Sequence, residues 1–300
     1  MNNIESASYR RTDLAVETVT DTSAPGVRYN EYERDSIHVA ILDVLKGDGE
    51  KATGRTAGTY VTVTASRPWL WDDERRDSLV GLLAELISDA VYSASMQRPC
   101  PDFPILVCGL GNRAMTADAV GPKVADAVTV TAQLSVAHPD LYTSLGCCCV
   151  TANAPGVAAA TGIEAADVVR GIADNVHPAV IILIDALAAR SCSRLASTIQ
   201  IADTGISPGS GIGNRRRAIT KETVGVPVVT VGVPTIVDSS TLVYDALEKG
   251  GIDLGTQADA LREVLEEGRS FFVTPKESDV VTEEMAQLIA EAIDRMCRTC

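Results

Sequence analysis

The sequence predicts an α/β fold: a mainly parallel twisted sheet flanked by helices, with a small antiparallel strand addition near the N-terminus. Three observations carry this. Three short aliphatic runs, 104–108, 179–184 and 226–231, each end at a loop bearing glycine or aspartate. Segments of helical periodicity separate them. The 300 residues are 46% hydrophobic but only 4% aromatic, so the core must be built from Val, Ile, Leu and Ala. Such a core suits parallel strands buried on both faces.

The elements follow in order. Residues 1–35 are polar with little apolar periodicity and read as an arm. Residues 36–44 (SIHVAILDV) and 58–64 (GTYVTVT) alternate as strands. Gly47, Gly49 and Gly54 between them mark a turn-rich loop, which makes the two an antiparallel pair. Residues 72–96 carry Leu79, Leu82, Leu83, Leu86, Ile87 and Val91 at helical spacing. The run 104–108 (PILVC) enters Gly109-Leu110-Gly111-Asn112, and a helix over 118–134 follows, with Pro122 in its first turn. Residues 161–176 are an amphipathic helix before the run 179–184 (AVIILI), which ends at Asp185. The run 226–231 (VPVVTV) ends at Gly232, and helices over 238–249 and 283–297 complete the chain. This β-α-β alternation implies a parallel sheet with right-handed crossovers. Its ligand site lies beyond the carboxyl ends of the strands. Length alone fits one large domain or two small ones.

The net charge of -14 opposes phosphate backbones, so no direct nucleic-acid partner is expected. No apolar run is read as spanning a membrane. Residues 1–11 lack the apolar stretch of a secretory signal, so the cytoplasm is the default compartment. The consecutive Cys147, Cys148 and Cys149 are poor geometry for a shared metal, and Cys297-Arg298-Thr299-Cys300 has no second pair. The thiols read as structural or incidental. His38, His138 and His177 are scattered outside any motif. No metal and no cofactor is expected.

The strand ends collect the candidate chemistry: Asn112 and Asp118, then Asp185, Arg190 and Ser191, then Thr235 and Asp238. Asp185 directly follows five aliphatic residues, where an unpaired carboxylate is costly. It reads either as a helix cap or as a working group, and Asp118 has the same two readings. Two carboxylates at one cleft share a proton, which leaves one base and one acid. The base activates a water against a peptide carbonyl, and the acid protonates the carbonyl oxygen or the leaving amine. Arg190 reads equally as a partner for a carboxylate or as a structural ion pair. Gly209-Ser210-Gly211-Ile212-Gly213 lacks the Lys-Ser/Thr of a phosphate loop, and Gly109-Leu110-Gly111 lacks the third glycine of a dinucleotide site.

Together the segments 107–122 (VCGLGNRAMTADAVGP), 154–171 (APGVAAATGIEAADVVRG), 182–191 (ILIDALAARS), 198–214 (TIQIADTGISPGSGIGN), 222–238 (ETVGVPVVTVGVPTIVD) and 273–279 (VTPKESD) resemble the germination protease family of spore-forming bacteria. Residues 11–17 (RTDLAVE) resemble its processing segment. The resemblance covers most of the chain in order. It implies a zymogen that removes its own arm and then degrades small acid-soluble spore proteins in the forespore and spore core. It further implies a homotetramer, and a fold similar to hydrogenase-maturation proteases (phosphorylase/hydrolase-like). The aspartic peptidase pair then falls on Asp118 and Asp185. Processing falls at Asp13–Leu14, which makes 1–13 a propeptide and 14–300 a single peptidase domain. Three departures stand out: Ala117 where the family commonly has Pro, a short 238–273 segment, and the Cys147–Cys149 run.

Two other readings remain at this point. One is a metal-assisted peptidase using Asp118 or Asp185 as ligands; the other is a non-catalytic binder of spore proteins. If the chain processes itself on acidification, protonation is expected to reduce its self-repulsion, let the arm enter the cleft and set the aspartate pair to its singly protonated state.

Overall fold

The computed structural model describes residues 11–19, 21–209, 216–252, 261, 263–265 and 271–298. Residues 1–10 of the polar arm, the glycine-rich stretch from Ser210 to Gly213 and Cys300 lie outside them.

Nine strands form one sheet: β1 (Val27–Arg34), β2 (Ile37–Val44), β3 (Gly58–Thr64), β4 (Pro104–Gly109), β5 (Cys149–Asn153), β6 (Val180–Ala189), β7 (Thr198–Ala202), β8 (Val228–Asp238) and β9 (Phe272–Val273). Their order is β1-β2-β3-β7-β8-β6-β4-β5, with β9 on β8. Strands β8, β6, β4 and β5 are parallel. Strands β1, β2, β3 and β7 are antiparallel, and β7 joins β8 antiparallel. The α/β class is as the sequence predicts. The antiparallel part is larger than the expected strand pair, because two of its members do not look like strands. The edge strand β1 (VRYNEYER) is almost wholly exposed and carries charge, which protects an open edge. The short β7 lies inside a segment whose apolar residues simply alternate with Thr198 and Gln200.

Among the described residues five longer helices pack on this sheet: α1 (Asp73–Ser95), α2 (Val120–Ala127), α3 (Ala165–Val176), α4 (Ser239–Lys249) and α5 (Ser278–Arg298). Asp72 caps α1 by accepting from the Arg75 amide. By length and composition α1 could cross a membrane, contrary to the sequence expectation. Half of its most apolar window is buried, and Leu79, Leu82, Leu83, Leu86, Ile87 and Val91 all pack into the core.

The expected helix over 118–134 is broken into a 3-10 turn (Thr116–Asp118), α2, and a separate helix at Ala132–Ala137. Residues 128–131 (VTVT) are all β-branched and disfavour helix. The amide and hydroxyl of Thr129 instead donate to Asp294 on α5. The triple-cysteine run opens β5, with Cys147 and Cys148 buried. Burial also pushes the Cys108 thiol up to about 12, which makes it inert.

Strand alternation divides the core. Helices α1, α2 and α5 cover one face, over Ile105, Val107, Ile182, Ile184, Val229 and Val231. Leu106, Cys108, Ile181 and Leu183 point to the other face, under α3. Among the described residues that helix covers only the parallel end. Beyond it the cover is the N-terminal segment itself. Leu14 packs on Leu187, Ala189 and Val237, and Ala15 on Leu42, Val44, Tyr60 and Ala202. Both are fully buried. The arm is therefore seated rather than waiting for acid to bring it in.

Truncating Leu14 should loosen this seat. Buried Leu→Ala changes cost about 2–5 kcal/mol. In Leu14→Ala we expect the amides of Asp13 and Ala15 to exchange with solvent at least ~10-fold faster, since 1.4 kcal/mol is a factor of ten. Unchanged exchange at those amides would show that the arm is not held by this side chain.

Candidate active site

Asp185 does not end its strand. Strands β6 and β8 continue pairing well past it, and Asp185 faces Gly232 in the ladder. It therefore caps no helix. By alternation it shares the α3 face with Ile181, Leu183 and Leu187. It is 6% exposed, and its Oδ1 accepts from the Ala186 amide at 3.0 Å. Burial holds its carboxyl well above the ordinary carboxylate range, and the charges of Asp118 and Asp13 push it the same way.

Asp118 closes the 3-10 turn before α2. It is not the cap of α2, since that helix has no side-chain cap. Its Oδ2 instead accepts from the Asn112 amide at 2.8 Å. Gly111 makes this possible: at φ +116 a Cβ would lie 2.1 Å from the Asp118 carbonyl and 2.9 Å from its Oδ1. The turn is braced from β8. Residue Thr235 is the extra residue of a bulge, between Pro234 opposite Leu187 and Ile236 opposite Ala188. Its hydroxyl donates to the Ala117 carbonyl at 2.6 Å. Burial raises the Asp118 carboxyl above its ordinary value, partly offset by the Asn112 amide.

Asp118, Asp185 and Asp13 line one cavity of about 190 Å³, together with Thr235 and Arg217. The arm enters it as a short strand-like addition. The Asp13 amide donates to the Ala188 carbonyl at 2.8 Å, and the Ala188 amide donates to Asp13 Oδ2 at 2.9 Å. On the flank, Arg55 Nη2 donates to the Thr12 carbonyl at 2.8 Å. Gln200 spans the next peptide: its Nε2 donates to the Asp13 carbonyl at 3.2 Å and its Oε1 accepts from the Ala15 amide at 2.6 Å. Glu17 locks the far end by accepting from the amides of Arg190 and Ser191 and pairing with Arg194 at 3.3 Å. No histidine lines this cavity. Among the described residues no three His, Cys, Asp or Glu side chains are grouped to hold a metal.

The structure sorts the other sequence candidates. The Asn112 side chain accepts from Ala114 within its own turn, and the residue serves Asp118 through its backbone. The guanidinium of Arg190 pairs with Asp245 at 3.3 Å and Glu248 at 2.6 Å on α4, so it is a structural ion pair. Ser191 holds the arm through its amide, while its hydroxyl meets Ser193. Asp238 caps α4 through the Thr241 amide and lines no part of the cavity. Sequence reasoning missed Gln200, Arg55 and the clamp role of Glu17. The one available signal was a lone glutamine between Ile199 and Ile201.

The germination protease family model matches residues 4–257. The chain belongs to the germination protease family. Germination protease of Clostridium acetobutylicum is 37% identical over 95% of this chain and 94% of its own length. That of Caldanaerobacter subterraneus subsp. tengcongensis is also 37% identical, over 95% of this chain and 93% of its own. That of Bacillus pumilus is 38% identical over 81% of this chain and 67% of its own. This germination protease homologue is thus a peptidase of the spore-germination setting. Among solved structures, the [NiFe] hydrogenase maturation protease HycI of Thermococcus kodakarensis is similar over 69% of this chain and 98% of its own, at 20% identity and a TM-score of 0.36. A likeness at that level says nothing of chemistry.

Proposed function

We propose that this germination protease is a self-processing aspartic endopeptidase whose working groups are Asp118 and Asp185. Its first substrate is its own Asp13–Leu14 bond. One observation carries the reading: both carboxylates open on the cavity that holds Asp13, whose carbonyl begins that bond. The buried Asp185 keeps a proton more readily than the half-buried, amide-bonded Asp118. Asp118 is accordingly the base and Asp185 the acid of a coupled pair. Asp118 takes a proton from water, and the hydroxyl adds to the Asp13 carbonyl carbon. Asp185 delivers its proton to the Leu14 nitrogen as the C–N bond breaks. The products are a new carboxyl terminus at Asp13 and a new amine at Leu14.

The expected pH profile follows from the directions of the two shifts. As pH falls, the rate rises while Asp185 gains its proton, and falls again once Asp118 is protonated. Acid therefore acts on the pair, not on arm entry. The test is to incubate the full chain at mildly acid pH and follow its N-terminus by mass spectrometry. We expect residues up to Asp13 to be lost, and loss about 10²–10⁴ times slower in Asp118→Asn. Processing at the parent rate in that variant would sink the aspartate-pair reading.

Family membership supports the wider proposals: small acid-soluble spore proteins as later substrates, a homotetrameric assembly, and a place in the cytoplasm of the forespore and spore core.

A further inference from the structure

We propose that Gln200 is a catalytic residue that polarises the carbonyl of the bond to be cut, an assignment that rests on reading Asp13–Leu14 as that bond. The ladder places it. Gln200 pairs with Gly232, and Gly232 pairs with Asp185. The three therefore form one transverse row, and paired residues point to the same face of a sheet. With strands about 4.8 Å apart, Gln200 and Asp185 stand roughly 10 Å apart at their backbones. The residue between them has no side chain, and the Leu187 side chain lies over it instead. A Cβ at Gly232 would strike Leu187 at 2.4 Å, and Leu187 is part of the floor under Leu14. Asp13 thus shares a cavity with the acid while its carbonyl is held by the amide.

The amide is fixed in orientation by chemistry. The Asp13 carbonyl only accepts and the Ala15 amide only donates, so Nε2 must face the first and Oε1 the second. When water adds, negative charge develops on the Asp13 carbonyl oxygen, and the donor already aimed at it stabilises that charge. Gln200 is 8% exposed, so its donor works in a site with little water. Both of its bonds to the arm go to backbone atoms. The same grip fits any extended polypeptide laid where the arm lies, whatever its side chains.

A holding role and a polarising role separate on substitution. Gln200→Met removes both bonds. Gln200→Glu keeps an acceptor for the Ala15 amide but lacks the donor until its carboxyl is protonated. The readout is the self-processing rate of the full chain, followed by mass spectrometry of the N-terminus between pH 3 and 8, beside the parent and Asp185→Asn. For Gln200→Met we expect a loss of about 10²–10³-fold, the usual cost of one donor at a developing oxyanion. Gln200→Glu should be similarly slow near neutrality, and its ratio to the parent should climb toward one as pH falls below about 4. The other titratable groups around this side of the arm, Asp13, Arg55, Tyr60, Asp203, Lys221 and Glu222, are common to both proteins and are compared under the same conditions. Recovery on acidification within one sample also shows that the variant is folded. A ratio for Gln200→Glu that stays flat with pH would overturn the proposal, as would Gln200→Met within threefold of the parent. An inert Asp185→Asn with an unimpaired Gln200→Met removes this proposal alone. An unimpaired Asp185→Asn removes the aspartate pair instead, and a parent chain that keeps its arm removes both.

Discussion

Asp185→Asn is expected to keep its arm and to melt at a higher temperature than the parent at neutral pH. The first effect follows from losing the proton donor, which costs about 10²–10⁴-fold in processing. The second follows from the raised carboxyl of a buried group beside two other acids. Its folded value lies above its unfolded value, so between the two the folded chain binds more protons. Stability contributed by this proton is complete below the ordinary aspartate value and is lost as pH rises through the folded value. Asparagine has no such loss and can still accept from the Ala186 amide. The gain in melting temperature should thus be largest at pH 7–8 and vanish toward pH 3, as read by calorimetry across that range. Asp118→Asn should gain less, because the Asn112 amide already steadies that charge. An Asp185→Asn melting curve equal to the parent's at pH 8 would mean that the buried charge carries no cost there.

Gly121→Ala is the second large effect. A Cβ at Gly121 would sit 2.2 Å from the Leu110 carbonyl and 2.5 Å from that of Ile184. Gly109 makes the reciprocal approach, with a Cβ 1.9 Å from the Gly121 carbonyl. These glycines let α2 lie directly on the ends of β4 and on β6. Asp118 stands just before Gly121 and Asp185 just after Ile184, so one methyl wedges the two carboxylates apart. Overpacking of this kind costs about 1–3 kcal/mol of stability. Processing should suffer more, since a displacement of about 1 Å can cost 10²-fold. Urea unfolding and the N-terminal mass of the same preparation check both numbers. A folded Gly121→Ala chain that processes like its parent would remove the claim that this contact sets the pair.

The parallel half of the fold was legible because its strands are unbroken aliphatic runs buried on both faces. The antiparallel half was less so. Strand β1 is charged because it is an edge, and β7 is too short to announce a period. Asp185 was singled out as a carboxylate inside an aliphatic run, but was placed at a strand end instead of within one. Local pattern does not show that β6 and β8 go on pairing past Gly232. Gln200 was invisible for a related cause. Its significance comes from a register across three strands, two of them far from it in sequence, and a polar residue in a short alternating segment carries no mark of that. Arg190 had two equal readings, and the acids of α4 that settle them lie more than fifty residues on.

The seated arm has a consequence for rivalry at its own seat. A segment tethered beside its groove is present there at an effective concentration on the order of millimolar. An outside chain of equal affinity at micromolar concentration loses that contest by about a thousandfold. No lid or separate inhibitor is needed to keep foreign polypeptides out. The proposed cut at Asp13–Leu14 changes the terms for one side only. Leu14 onward stays moored by its continuation into β1, while the residues up to Asp13, which shares the cavity of the two aspartates, become an ordinary dissociating peptide that dilution carries away.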